Sequence, residues 1–126
     1  MTKIYKTINI DLYKASIKIY YKFSLRELKK SLSETFVEAD KEIIDTLLDN
    51  TLARAKCVVF PSGNSVIAVY KEHGASELEY MASLIHEICH SAFHLLSTRG
   101  FALDENSEEA YTYLIEYIYT ELMKNV

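Results

Sequence analysis

A long apolar-patterned stretch from Ser76 to Ser97 sets the terms for the rest of the chain. At about 100° per residue, Met81, Leu84, Ile85, Ile88, Ala92, Leu95 and Leu96 form one stripe of an α-helix. Such a stripe has to be laid on a core. In its middle stands His86-Glu87-Ile88-Cys89-His90, with both histidines on the face opposite the stripe, toward a cleft or solvent. Arg99 and Gly100 supply a stop signal. Phe101 to Glu105 make a short connection. Asn106 or Ser107 then serves as N-cap of a second helix running to Met123, with Ala110, Tyr113, Leu114, Tyr117, Ile118 and Leu122 as its expected apolar stripe.

Residues four apart on a helix stack on one face. Two imidazoles so placed offer neutral nitrogen ligands to one Zn²⁺, and Glu87, between them, is close enough to take a proton from a water without itself being a ligand. A zinc site needs a third ligand. Glu109, at the edge of the second helix's expected stripe, is the preferred carboxylate, with Glu108 as the alternative. With Asn106 as N-cap, Glu109 would also occupy N3, where a capping-box glutamate belongs. Tyr113 stacks one turn above Glu109, within reach of that carboxylate or of a substrate oxyanion.

An HExxH followed by a glutamate on the next helix resembles the gluzincin metallopeptidases. The segments HEICHSAFHLL and DENSEEAYTYLIEY are similar to small HExxH proteins of bacteriophages and prophages, with Glu109, Tyr113 and Leu114 matching a Glu-x-x-x-Tyr-Leu pattern. The resemblance implies a zinc site at His86, His90 and Glu109, with Glu87 as general base. In the zincins an edge strand lies along the cleft, and the resemblance implies residues 66–70 for that strand.

His94 continues the series His86, His90, but one further turn along. It reads as a cleft-wall residue. His73, before Gly74, reads as a loop residue. Cys89 lies on the side of the helix nearer the stripe and reads as a small buried filler.

A chain of 126 residues with a net charge of −4 suits one domain, 1–126, and gives no reason to expect nucleic acid as a partner. No run is long enough to span a membrane. With no secretory signal and only two cysteines, Cys57 and Cys89, the expected compartment is cytoplasmic.

Residues 4–12 and 15–23 alternate as two strands of a hairpin turning near Tyr13-Lys14. Lys3, Lys6, Lys14, Lys18 and Lys22 read as the wet side of that sheet. Ser24 and Glu27 form a capping box for a helix carrying Leu25, Leu28 and Leu32. Residues 40–52 are helical again, and the mixture around Phe36-Val37-Glu38 allows one helix or two. Residues 55–60 and 66–70 form a second hairpin around Pro61-Ser62-Gly63-Asn64-Ser65. With 3 Gly and 1 Pro, little is left for linkers.

The expected fold is a small α+β, zincin-like domain: N-terminal strands and helix, a β-hairpin, the HExxH helix, then a C-terminal helix carrying the third ligand. The expected activity is zinc-dependent hydrolysis of peptide bonds in a peptide or protein substrate. The alternative is a non-catalytic zinc-binding phage or prophage protein that works by binding a partner. A tyrosine-rich surface and an exposed strand edge permit a dimer without requiring one.

Overall fold

The computed structural model describes residues 3–35, 41–49 and 53–126. Among them four strands, β1 (Ile4–Ile10), β2 (Ala15–Phe23), β3 (Ala55–Val59) and β4 (Ser65–Tyr70), and four α-helices, α1 (Leu25–Thr35), α2 (Lys41–Leu48), α3 (Glu77–Thr98) and α4 (Glu108–Met123), make an α+β architecture. Phe36, Val37, Glu38 and Asp40, and residues 50–52, lie outside the described residues, so α1 and α2 are described as separate helices.

The sheet is two hairpins laid side by side. Its strand order is β1-β2-β4-β3, with β2 and β4 parallel and both outer pairs antiparallel. The first hairpin turns through a single 3₁₀ turn, Asp11–Tyr13, closed by Lys14 in the left-handed region. The second turns at Pro61-Ser62-Gly63-Asn64, where the Phe60 and Gly63 amides donate to the Asn64 and Phe60 carbonyls. Asn64 also sets the join between the hairpins, its Oδ1 accepting from the Ser16 backbone amide at 2.9 Å.

Alternation along the two inner strands sends side chains to opposite layers. Ile17, Ile19 and Tyr21 of β2 and Ile67 and Val69 of β4 meet α3 and α4. Tyr20 of β2 and Val66, Ala68 and Tyr70 of β4 meet Leu28, Leu32 and Leu47 of α1 and α2. Each fully buried Leu or Ile contributes roughly 1.5–3 kcal/mol relative to exposure. All six residues of β4 are buried, as a strand covered on both faces requires. The lysines therefore do not mark one wet face. Lys6 shares the α4 side of β1 and donates to the Glu121 and Lys124 carbonyls at the C-terminal end of α4, where a cation suits the helix dipole. Lys18 lies on the opposite face, half-buried.

Ser24 and Glu27 form the expected capping box on α1. Ser76 and Glu79 form another on α3. The far end of α3 closes in a Schellman turn. The Gly100 amide donates to the Ser97 carbonyl and the Phe101 amide to the Leu96 carbonyl, with Gly100 at φ 87°. This turn folds the chain back beside α3 and leads into α4.

Candidate metal centre

Tyr80, Leu84, Ile88, Ala92, Leu95 and Leu96 fix the buried side of α3. That leaves His86 and His90 exposed on the opposite flank, as their spacing predicts. Their Nε2 atoms stand 3.1 Å apart with the rings nearly perpendicular. Two nitrogens held at roughly 2.0–2.1 Å from one ion at the tetrahedral angle are about 3.3 Å apart, so the pair already has the spacing of two ligands. Glu87 completes a group in which one ligand atom from each residue lies within 4.8 Å of the others. This His/Glu/His group could hold a metal ion.

Glu87 is only 7% exposed, on the seam between α3 and the sheet. Burial holds its carboxyl above the ordinary carboxylate range, against the pull of His86 and His90. One turn further along the same seam, Ser91 accepts from the Ser65 hydroxyl at 2.8 Å and lies 3.2 Å from the Cys57 sulfur. Burial pushes the Cys57 thiol up to about 11. Cys89 is only half-buried, less covered than the buried filler its position suggests.

The strand beside the site is β3, not residues 66–70. β4 is interior, paired with β2 on one side and β3 on the other, whereas β3 ends the sheet. The inner strand is the more continuously apolar of the two, which suits a strand covered on both faces, and its pairing with both β2 and β3 is what places it inside. Contacts along its length hold β3 parallel to α3. Before it, Arg54 donates to Ser83 at 2.8 Å and to Glu79 at 2.9 Å. In the middle is the Cys57–Ser91 contact. Beyond its end, His94 Nε2 donates to the Phe60 carbonyl at 2.6 Å. A carbonyl can only accept, so this bond places a proton on His94 Nε2 and removes that nitrogen from any ligand set. His94 is a wall residue, and His73 lies in an exposed 3₁₀ turn.

The space between β3, α3 and the turn into α4 is a hollow of about 750 Å³, lined among others by residues 55–59, Glu87, His90, His94 and Tyr111. Neither Glu109 nor Tyr113 is brought to it. α4 buries Tyr111, Leu114, Ile118 and Leu122, a stripe rotated from the expected one. Tyr111 packs edge-on against Phe93 with centroids 5.4 Å apart, and its hydroxyl donates to the Phe101 carbonyl at 2.8 Å. The N-cap position belongs to Ser107, whose side chain makes no capping bond to the helix and donates instead to the Ala102 carbonyl. Glu109 consequently falls at N2 and not N3, about half a turn from the buried stripe and exposed. Tyr113 is 65% exposed and lines a separate groove with Ile10–Tyr13 of the first hairpin. Glu108 is one turn before Thr112, and Thr112 shares a groove with Ile85 and Ile88 of α3. Glu108 thus stands on the flank of α4 turned toward α3, although it too lies outside the 4.8 Å group.

Reading the sequence did not single out Arg54, Ser91 or Tyr111. For Tyr111 a signal was present: the spacing 111, 114, 118, 122 is a cleaner helical repeat than one built on Tyr113. Comparison with protein-family models, with curated proteins and with solved structures finds no match to this chain. No helix among the described residues is long and apolar enough to cross a membrane.

Proposed function

We propose that the chain is a zinc-dependent, gluzincin-like peptidase. The observation that carries this reading is the His86–His90 nitrogen pair set beside a buried glutamate, with Glu87 and His90 lining a hollow bounded by an edge strand. His86 and His90 would hold the ion. The first turn of α4 would supply the third ligand, and the flank it shares with Thr112 favours Glu108 over Glu109. Zinc in such a site acidifies a water and polarises a carbonyl. Glu87, excluded from bulk water, takes up the proton lost in the attack and returns it to the leaving amine. An extended peptide would pair with the open backbone edge of β3.

A second reading keeps the metal and drops the turnover: a zinc-binding protein of phage type that acts by engaging a partner. The carboxylates of α4 standing outside the His/Glu/His group favour it.

Elemental analysis of protein purified without chelator or nickel resin is the decisive measurement. One zinc per chain is expected, lost in His90→Ala, weakened in Glu108→Ala and kept in Glu109→Ala and Glu87→Gln. Glu87→Gln should also abolish peptide hydrolysis, and turnover surviving in that variant would defeat the mechanism. Wild-type protein that takes up no metal even when zinc is supplied would remove both readings.

A further inference from the structure

We infer that the hollow beside Glu87 selects a large apolar side chain of the bound peptide; the peptide as occupant rests on the peptidase reading, while the selectivity rests on the wall itself. Single exposed hydrophobic residues are ordinary on a protein surface. Here four of them converge on one concavity. Val59, Phe93, Phe101 and Leu103 are 41%, 40%, 38% and 60% exposed, and all four line the hollow that contains Glu87 and His90.

Their placement is built. Phe93 follows His90 by three positions and so lies one turn further along that side of α3, where its ring is backed by Tyr111. The Schellman turn carries Phe101 back along the helix, its ring edge-on to Tyr13 at 6.1 Å. Leu103 sits in a loop tied at both ends. The Asp104 carboxylate accepts from the Asn106 and Ser107 amides, at 2.9 and 3.1 Å, and the Phe101 carbonyl accepts from Tyr111. A wall fixed in this way need not be ordered on binding.

Charge points to the same occupant. Apart from Glu87 and the histidines, Lys56 is the one side chain of a charged type lining the hollow among the described residues, and its amine donates to the Thr46 carbonyl at 3.0 Å. Against the wall of Phe93, Phe101 and Leu103 a charged or polar side chain would lose water without gaining a partner, whether or not the Glu87 carboxylate is present. A peptide laid along β3 alternates its side chains between the two sides of the strand. The side chain that turns toward the loop at His90 is the one the aromatic wall would cover.

The test uses the zinc-loaded Glu87→Gln protein and fluorescein-labelled Ser/Gly host peptides differing at one central residue: Ala, Leu, Phe or Glu. Phe and Leu peptides are expected to bind roughly tenfold tighter than Ala, with Glu weakest. Leu103→Asp, on a side chain too exposed to matter for folding, should reduce the preference to about twofold or less, and Phe93→Leu should retain it. Equal affinity for the four peptides, no binding, or an undiminished preference in Leu103→Asp would overturn the inference. Wild-type hydrolysis of the same peptides scores the peptidase reading separately. Peptides bound with preference but uncut would leave the apolar site standing without the enzyme. Peptides cut without preference would leave the enzyme without the site.

Discussion

At the scale of single residues, the polar groups on the seam between α3 and the sheet differ in how they meet pH. Burial keeps the Cys57 thiol protonated up to about 11, although the Ser91 hydrogen bond pulls the other way and Glu87 adds to the rise. The same thiol in the unfolded chain ionises near its ordinary value of 9.0. A raised pKa of this kind leaves stability untouched below pH 9. Stability is then lost as the pH climbs from 9 through 11, because the unfolded chain sheds a proton that the folded one keeps. The loss attributable to this one group approaches about 2 kcal/mol. Urea unfolding of the wild type and of Cys57→Ser between pH 8 and 11 checks it: the wild type should fall more steeply above pH 9. Parallel slopes would clear Cys57 of the effect.

At the scale of elements, the C-terminal end of α3 holds both hairpin turns. Arg99 donates through Nε and Nη2 to the Tyr13 carbonyl and through Nη1 to the Ser62 carbonyl. Gly63 fits beneath it because it has no side chain. A Cβ there would stand 2.8 Å from Arg99 Nη1 and 2.9 Å from Leu95 Cδ1, on a backbone at φ 98°. Gly63→Ala should therefore cost about 1–3 kcal/mol, read as a lowered melting temperature; an unchanged one would mean that the turn and the guanidinium rearrange freely. The strong local signals in the sequence correspond to structure: the Arg99-Gly100 stop, the Ser24/Glu27 cap, the Pro61–Ser65 turn and most of the stripe of α3, where Ile85 is exposed, Met81 only half-buried and Tyr80 buried instead. Relations between elements were harder to read. The run 66–70 is apolar whether it lies at an edge or inside a sheet, and only its partners decide. On α4, the choice between tyrosines 111 and 113 turned on which ring Phe93 and the Phe101 carbonyl would receive. Choosing Tyr113 rotated the expected face, and it carried the expected position of Glu109 with it. The His86–Glu87–His90 group was legible because it is local to one helix, whereas the expected placing of Glu109 depends on how two helices meet.

At the scale of the whole molecule, each hairpin can form from nearby residues, while the β2–β4 seam pairs Ile17 with Ser65 and Tyr21 with Val69 across the length of α1, α2 and β3. Closing such a long loop is slow compared with forming a tight turn. Refolding should then be timed by the meeting of two preformed ribbons, with the Ser16–Asn64 bond as part of the nucleus. Asn64→Ala, losing about 1 kcal/mol, should refold roughly fivefold more slowly in stopped-flow mixing while its unfolding rate stays near that of the wild type. The opposite partition would place the seam late. A nucleus at mid-sheet has a further consequence for a nascent chain. Because β4 must emerge before β2 can pair with it, the β1–β2 ribbon waits with its apolar inner strand uncovered until the chain has been made as far as Tyr70.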